Sequence, residues 1–239
     1  MPLYQNSVLQ NYLKQQEKEK VSKGFKRYKK YFHNPVIQEN ILQIKEEGFQ
    51  QKFLMELFVT CFGYIINPDA KYNLTTEFKN LTGAKKADGA LLLSDKALAV
   101  IELKGTKTKD LESIRQQAFD YKSNHPTCVY VISSNFEKLR FYINTSDEFE
   151  EFNLFTLTEE RFALMYLCLA KENLLNNIPL QIKEASLQVE DVITKQLYKD
   201  YSTFKRELFR DLVKLNMKNE VFRNVLDNED SDRANKNIK

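Results

Sequence analysis

Two short runs of mostly apolar residues, Asp88-Gly89-Ala90-Leu91-Leu92-Leu93 and Leu98-Ala99-Val100-Ile101-Glu102-Leu103, are separated only by Ser94-Asp95-Lys96-Ala97. Runs of this length joined by so brief a polar link pair as a β-hairpin buried in a core. Apart from the turn, the charges of this hairpin gather at its open end, on Asp88, Glu102 and the following Lys104. The flanking sequence must therefore cover both faces of a sheet while leaving that end accessible.

The flanks supply the cover. Apolar residues at helical spacing predict helices over about 5–22, 24–32 and 36–63, with Gly24 and His33-Asn34-Pro35 as interruptions. Phe49, Phe53, Leu57 and Cys61 form one stripe of the third helix, with Leu54, Phe58 and Phe62 beside it. Gly63 ends it, and Asn67-Pro68-Asp69 marks a turn. After Gly105 a polar helix is expected over about 109–124, stopping near Pro126, then strands over 127–133 and 139–143. Helices follow over 159–175, 187–200 and 202–226, and 227–239 is a polar tail without an aromatic residue. Helix, hairpin, helix, strand, strand outlines an α/β sandwich.

Composition narrows the chemistry. Lys and Arg number 36 against 33 Asp and Glu, a net charge of +3 that does not announce a nucleic-acid binder by itself. The distribution is more telling: Lys14 to Lys30 holds eight Lys or Arg against two Glu, interleaved with Phe25 and Tyr28, and could neutralise nucleic-acid phosphates. Cys61, Cys128 and Cys168 lie among apolar residues and read as small buried hydrophobes of a reducing, cytoplasmic compartment. With only His33 and His125, histidine-rich metal sites and His-dependent triads are poorly supplied. No apolar run approaches the roughly 18 residues of a membrane helix, and the start of the chain lacks signal-peptide character. Hydrolytic chemistry, if present, falls to carboxylates and lysines.

Alternation along a strand puts Glu102 and Lys104 on one face and Ile101 and Leu103 on the other. If Leu93 pairs with Leu98, Asp88 falls opposite Leu103, on the wrong face. A register shifted by one residue, or a bulge at Gly89, brings Asp88 level with Glu102 or Lys104. Both registers are open; the shifted one is expected because it groups the three charges instead of burying a lone carboxylate. Two carboxylates beside a lysine suit phosphodiester hydrolysis, in which a hard divalent cation takes oxygen ligands, neutralises phosphate and lowers the pKa of bound water. Lys104 would orient or deprotonate that water, or stabilise the pentavalent phosphorane.

Asp88, thirteen intervening residues and then Glu102-Leu103-Lys104 resemble the core motif of PD-(D/E)XK nucleases. Gln117-Ala118-Phe119-Asp120-Tyr121 resembles the Gln-x-x-x-Tyr motif of the RecB-like and type I restriction branches. Together with Phe53-Leu54, Phe62-Gly63-Tyr64, Lys85-Lys86-Ala87-Asp88-Gly89-Ala90 and Ser134 to Tyr142, these segments are similar to the N-terminal endonuclease region of type IIG restriction–modification enzymes over most of residues 40–160. The resemblance implies a restriction-endonuclease-like α/β core, a mixed sheet flanked by helices, at 37–158. It also implies a helical connector at 159–226, while charge and composition mark a basic helical arm at 1–36 and a disordered tail at 227–239. It implies a Mg²⁺-dependent deoxyribonuclease, with Mn²⁺ as a substitute, in which Asp88, Glu102 and the Leu103 carbonyl bind the metal and Lys104 serves catalysis. Gln117 and Tyr121 would support the site or contact DNA, and Glu46, Glu47 or Gln50 would supply the polar residue of the first core helix, with Glu56 lying off the stripe. Ala87 stands where the family motif often has Pro.

The implied partners are double-stranded DNA, a methyltransferase and target-recognition domain or subunit, and a second copy meeting transiently on DNA. S-adenosylmethionine would belong to the methyltransferase, since no Gly-x-Gly loop occurs here and neither Asn-Pro pair continues to Pro-Tyr; the expectation is a fragment, a truncated product or a split subunit that need not cut alone. Two other functions compete: a non-catalytic DNA-binding scaffold that docks a methyltransferase, and a RecB-like repair nuclease acting on single strands or ends.

Overall fold

The computed structural model describes residues 3–80, 86–216 and 218–219. The chain forms two compact units, Met1–Leu187 and Gln188–Lys239. In the first, helices α1 (Asn6–Gln15), α2 (Lys18–Phe32), α3 (Pro35–Gln43) and α4 (Glu46–Leu54) precede strand β1 (Leu74–Lys79). Then come β2 (Lys86–Leu93), β3 (Lys96–Leu103), α5 (Glu112–Ser123), β4 (Tyr130–Ser134), β5 (Lys138–Ile143) and β6 (Phe149–Asn153). Helices α6 (Glu159–Leu169) and α7 (Lys171–Leu175) follow, and α8 (Ile178–Asn216) has residues in both units.

The six strands form one sheet in chain order. Every pairing is antiparallel except β3 with β4, where α5 makes the crossover that a parallel pair requires. Both faces are covered. On one, Val100 and Val131 meet Ala118 and Tyr121 of α5. On the other, Leu91, Ala99, Ile101, Ile132 and Phe141 join a cluster containing Phe49, Phe53, Leu57 and Phe58. This is the α/β architecture expected from the sequence, a mixed sheet flanked by helices.

The hairpin turns through Ser94 and Asp95, both at positive φ (50° and 63°), as the tight two-residue turn between twisted strands requires. Leu93 pairs with Lys96 and Leu92 with Ala97; then the register changes, so that Leu91 pairs with Ala99, Ala90 with Val100 and Gly89 with Ile101. Leu98 is thus the extra residue of a bulge. The register around Asp88 is the shifted one, but the bulge stands near the turn and not at Gly89. Gly89 has a different role: a Cβ there would lie 3.3 Å from Leu54 and 3.4 Å from the Thr75 carbonyl oxygen.

Several element boundaries differ from expectation. Gly24 does not interrupt α2; it is buried against Phe162 and Tyr166, where a side chain would crowd both rings. The break falls earlier, at Gln16 and Glu17. The expected 36–63 helix is divided at Ile44-Lys45, and α4 continues into a π-helical segment, Met55–Cys61. Strands β1 and β6 were not anticipated. Phe149-Glu150-Glu151-Phe152 lacks period-two alternation and carries two glutamates, a composition depleted in strands. Its acids are answered by arginines: Glu151 lies opposite Arg140, which bonds it at 2.7 Å, and Glu150 meets Arg161 at 3.3 Å.

Helices α1, α2, α6 and α7 share the cluster that covers the sheet, so the expected boundaries at 36/37 and 158/159 fall within the first unit. Tyr28 and Phe32 of α2 are fully buried, and the Tyr28 hydroxyl donates to the Leu154 carbonyl at 2.5 Å. Helix α8 begins at Ile178, not at 187, and runs without a break at 200–202. Within the second unit its residues Ile193, Leu197, Tyr201, Phe204, Leu208, Leu212 and Leu215 form an exposed apolar stripe. Lys85, Phe222 and the expected tail at 227–239 lie outside the described residues. The three cysteines are free and buried, and no described helix is long and apolar enough to cross a membrane.

Phe53 is fully buried against Phe32, Phe49 and Phe136, with ring centroids 5.2–6.2 Å apart. Phe53→Ala is expected to destabilise the protein by about 3–5 kcal/mol, read as a lower urea midpoint at an unchanged slope.

Candidate active site

The open end of the β2–β3 hairpin gathers the charges. One step beyond the Gly89–Ile101 pair lie Asp88 and Glu102, which the bulged register brings face to face. Asp88 is held from two sides: the Leu103 N–H donates to its Oδ2 at 2.7 Å, and Gln50 Nε2 donates to its Oδ1 at 3.1 Å. Glu102 is 1% exposed. Its Oε1 accepts from Lys104 Nζ at 3.0 Å, whereas its buried Oε2 has no hydrogen-bond partner among the described residues.

The first turns of α4 close the site from the side. Lys104 Nζ also reaches Glu46 Oε1 at 3.4 Å, and Glu46 Oε2 accepts from the Gly105 N–H at 3.1 Å. Gln50 Nε2 lies 3.4 Å from Glu46 Oε1 as well as bonding Asp88, so a continuous polar chain runs Asp88, Gln50, Glu46, Lys104, Glu102. Of the candidates on the first core helix, Glu46 and Gln50 take part, while Glu47 is exposed and makes none of these contacts. Glu56 is drawn away by Lys52. On α5, Gln117 Nε2 donates to the Tyr121 hydroxyl at 3.2 Å. Tyr121 is buried against Ala87 and Val100 of the hairpin, and burial raises its pKa.

Burial governs the electrostatics. It pushes Glu102 up to about 7, with the Asp88 charge adding to the shift and Lys104 opposing it. Burial also raises Asp88, against the pull of the Leu103 N–H and of Lys104. For Lys104 burial works downward, but the bond to Glu102 and the charges of Glu102, Glu46 and Asp88 override it, and its pKa is raised. Lys104 is therefore a firmly protonated cation, and the surrounding carboxylates carry more negative charge than it can balance. A divalent cation suits that deficit. Among the described residues no three Asp, Glu, His or Cys side chains converge to hold a metal by themselves. Asp88 and Glu102 are a pair, which is the ligand number a Mg²⁺ site completes with water and phosphate. The unpartnered Oε2 of Glu102 is the kind of oxygen such an ion would satisfy. Sequence reasoning left the choice among Glu46, Glu47 and Gln50 open; an acid in the first turn, one helical turn before a glutamine, was the available signal.

No protein-family model matches this chain. No curated protein matches it. Among solved structures it is similar to that of the type IIG restriction endonuclease BpuSI, at 15% sequence identity and a TM-score of 0.32. The match covers 66% of this chain and 18% of that one, so the chain spans a small part of the structure it matches.

A carboxyl whose folded pKa is raised to about 7 binds protons that the unfolded chain, near 4.3, has released. Its stabilising contribution is complete below about pH 4 and is lost as pH rises toward 7. In chelator, the melting temperature is expected to fall between about pH 4 and pH 7. Glu102→Gln should flatten that dependence, and Mg²⁺ should restore stability at the alkaline end in the parent but not in the variant.

Proposed function

We propose that this chain is a Mg²⁺-dependent nuclease domain that hydrolyses DNA phosphodiester bonds, with Asp88, Glu102 and Lys104 as its reactive centre. The observation that carries the reading is a buried carboxylate oxygen, Oε2 of Glu102, left without a partner beside a second carboxylate and a protonated lysine. Asp88, Glu102 and the Leu103 carbonyl would hold Mg²⁺ or Mn²⁺, and the ion would supply charge neutralisation and a water of lowered pKa.

The chain's own groups prepare the rest. The Leu103 N–H and Gln50 lock the orientation of Asp88, so that its carboxylate does not have to reorganise when substrate arrives. Between Glu102 and Glu46, the Lys104 ammonium has its proton secured. That favours hydrogen-bond donation to a phosphate oxygen or to the attacking water over service as a base at neutral pH. Glu46 acts through Lys104 and the Gly105 N–H as a positioning residue. Gln117 and Tyr121, bonded to one another on α5, would steady the site or meet DNA.

The finer reading is the endonuclease part of a type IIG-like restriction–modification system, acting on duplex DNA with a methyltransferase and target-recognition part. The motif resemblance of residues 40–160 supports it. Sequence readout would reside in that other part, because contacts to phosphates position a nuclease without specifying bases.

Lys104→Ala is expected to lower Mg²⁺-dependent cutting of plasmid DNA by about 10²-fold or more with folding intact; cutting at the parental rate would refute the assignment. Calorimetric titration should show Mg²⁺ or Mn²⁺ binding that Asp88→Asn abolishes, and its absence would favour the scaffold reading. Preference for single strands or ends over closed duplex would favour a repair nuclease. Glu46→Gln should depress activity, whereas Glu47→Gln should leave it near that of the parent, assayed side by side at equal protein concentration.

A further inference from the structure

We propose that the solvent-facing side of α2, centred on Lys23, Lys26, Arg27 and Lys30, binds the phosphate backbone of the DNA on which the site acts. The proposal rests on the nuclease reading and extends it to a surface outside the reactive centre. Helix α2 buries Val21, Gly24, Tyr28 and Phe32 and carries seven Lys or Arg against one Glu in 15 residues. The four central cations recur at the three- and four-residue spacing of one helical face, and all are exposed.

Few local acids answer them. Lys23 pairs with Glu19, and Lys20 with Glu17 and Glu172, all at exposed positions where such pairs contribute little. Among the described residues Arg27 donates to the Thr60 carbonyl, at 3.3 Å. Lys26, Lys29 and Lys30 have no ion-pair partner among the described residues. Beside this face opens a cleft of about 220 Å³ lined by Lys20, Lys23, Arg27 and Lys171 with one acid, Glu172, and with Tyr166 and Phe62 in its wall. Cations held this close repel one another, and a polyanion relieves that repulsion while releasing its own counterions.

The position of the face fits a duplex that continues past the cut. Phe32 packs on Phe53 at 6.2 Å, and Lys52 lies over the Tyr31 ring at 5.6 Å, so the end of α2 leans on the C-terminal end of α4. Glu46 and Gln50, at the start of α4, belong to the reactive centre. With 1.5 Å of rise per residue, Phe53 stands about 10 Å along the helix from Glu46. One helix-packing distance adds about 8–10 Å. These two displacements are roughly perpendicular and combine to on the order of 15 Å, so the near end of the basic helix stands roughly four base pairs of duplex from Glu46.

The test uses the full chain carrying Glu102→Gln, in chelator, so that binding is read without cleavage. Fluorescence anisotropy follows a labelled duplex of about 30 base pairs across a salt series. Adding Lys26→Ala and Lys30→Ala, and then Arg27→Ala, is expected to weaken binding about tenfold and to reduce the log–log salt slope by about 0.9 for each phosphate that is no longer neutralised. The melting temperature should be unchanged for the lysine pair, which is exposed. Parental affinity and slope in the triple variant would overturn the proposal. So would an equal loss from the charge-matched control Lys195→Ala, Lys199→Ala, Lys205→Ala, or retention by phosphatidylserine vesicles with no retention of duplex. None of these outcomes bears on cutting, which the Lys104→Ala assay decides separately.

Discussion

A single extra residue in β3 aligns the charges of this site. The tight turn through Ser94 and Asp95 imposes a register, Leu93 with Lys96, which if continued would set Asp88 opposite Ile101, an apolar residue packed into the large core. Leu98 interrupts that register. Beyond the bulge every pairing moves by one, and Asp88 meets Glu102 instead. Because side chains alternate with period two, the displacement decides on which face a carboxylate sits as well as which neighbour it has. A tight hairpin and a convergent charged end are compatible only through such an irregularity, which is why bulges recur beside reactive sites.

The charged end is stable only because it is not symmetric. Glu46, Asp88 and Glu102 surround one ammonium, and burying them without further compensation would be costly. Each oxygen is therefore handled differently. Asp88 takes a backbone N–H and an amide; Glu46 takes a backbone N–H and the lysine; Glu102 takes the lysine on one oxygen and nothing on the other. The shortage of donors concentrates on one atom of the most buried acid, and burial raises the pKa of Glu102 to about 7. The π-helical turn that follows α4 keeps Leu57, Phe58 and Cys61 in the core after the aromatic stripe of Phe49 and Phe53, so that the start of the same helix is free to carry Glu46 and Gln50 at its rim.

Much of this was legible in residue order, and what was not has physical causes. The hairpin could be read because Leu91 to Leu93 and Leu98 to Ile101 are continuous apolar runs across so short a link. The shared face of Glu102 and Lys104 followed from alternation alone. The bulge was not legible, since nothing distinguishes Leu98 from its apolar neighbours; only the argument against a lone buried carboxylate favoured the shifted register. Strand β6 is not legible in the sequence because its glutamates are tolerated by arginines distant in sequence, Arg140 across the ladder and Arg161 on α6. Gly24 suggested a helix break, yet it is required by the close approach of Phe162 and Tyr166. In both cases tertiary contacts overrode local propensity. The choice of Glu46 over Glu47 also needed the third dimension: adjacent residues on a helix point about 100° apart, and only one faced Lys104.

The small net charge of the chain conceals a separation that bears on function. Positive charge is concentrated along the outer side of α2, and negative charge is concentrated, partly buried, around Glu102. An acidic centre of this kind repels a phosphodiester at short range, so it can act on one only if a cation intervenes in the site and other cations hold the polyanion outside it. The two requirements have different ranges. Inside, a dication would be held at short range by Asp88 and Glu102; outside, lysines spread over a helix face would act through water and fade with salt. The same Coulombic reasoning that calls for a metal at the sheet end thus calls for a basic surface elsewhere on the fold, and α2, packed against the far half of the helix that carries Glu46, is where this chain has one.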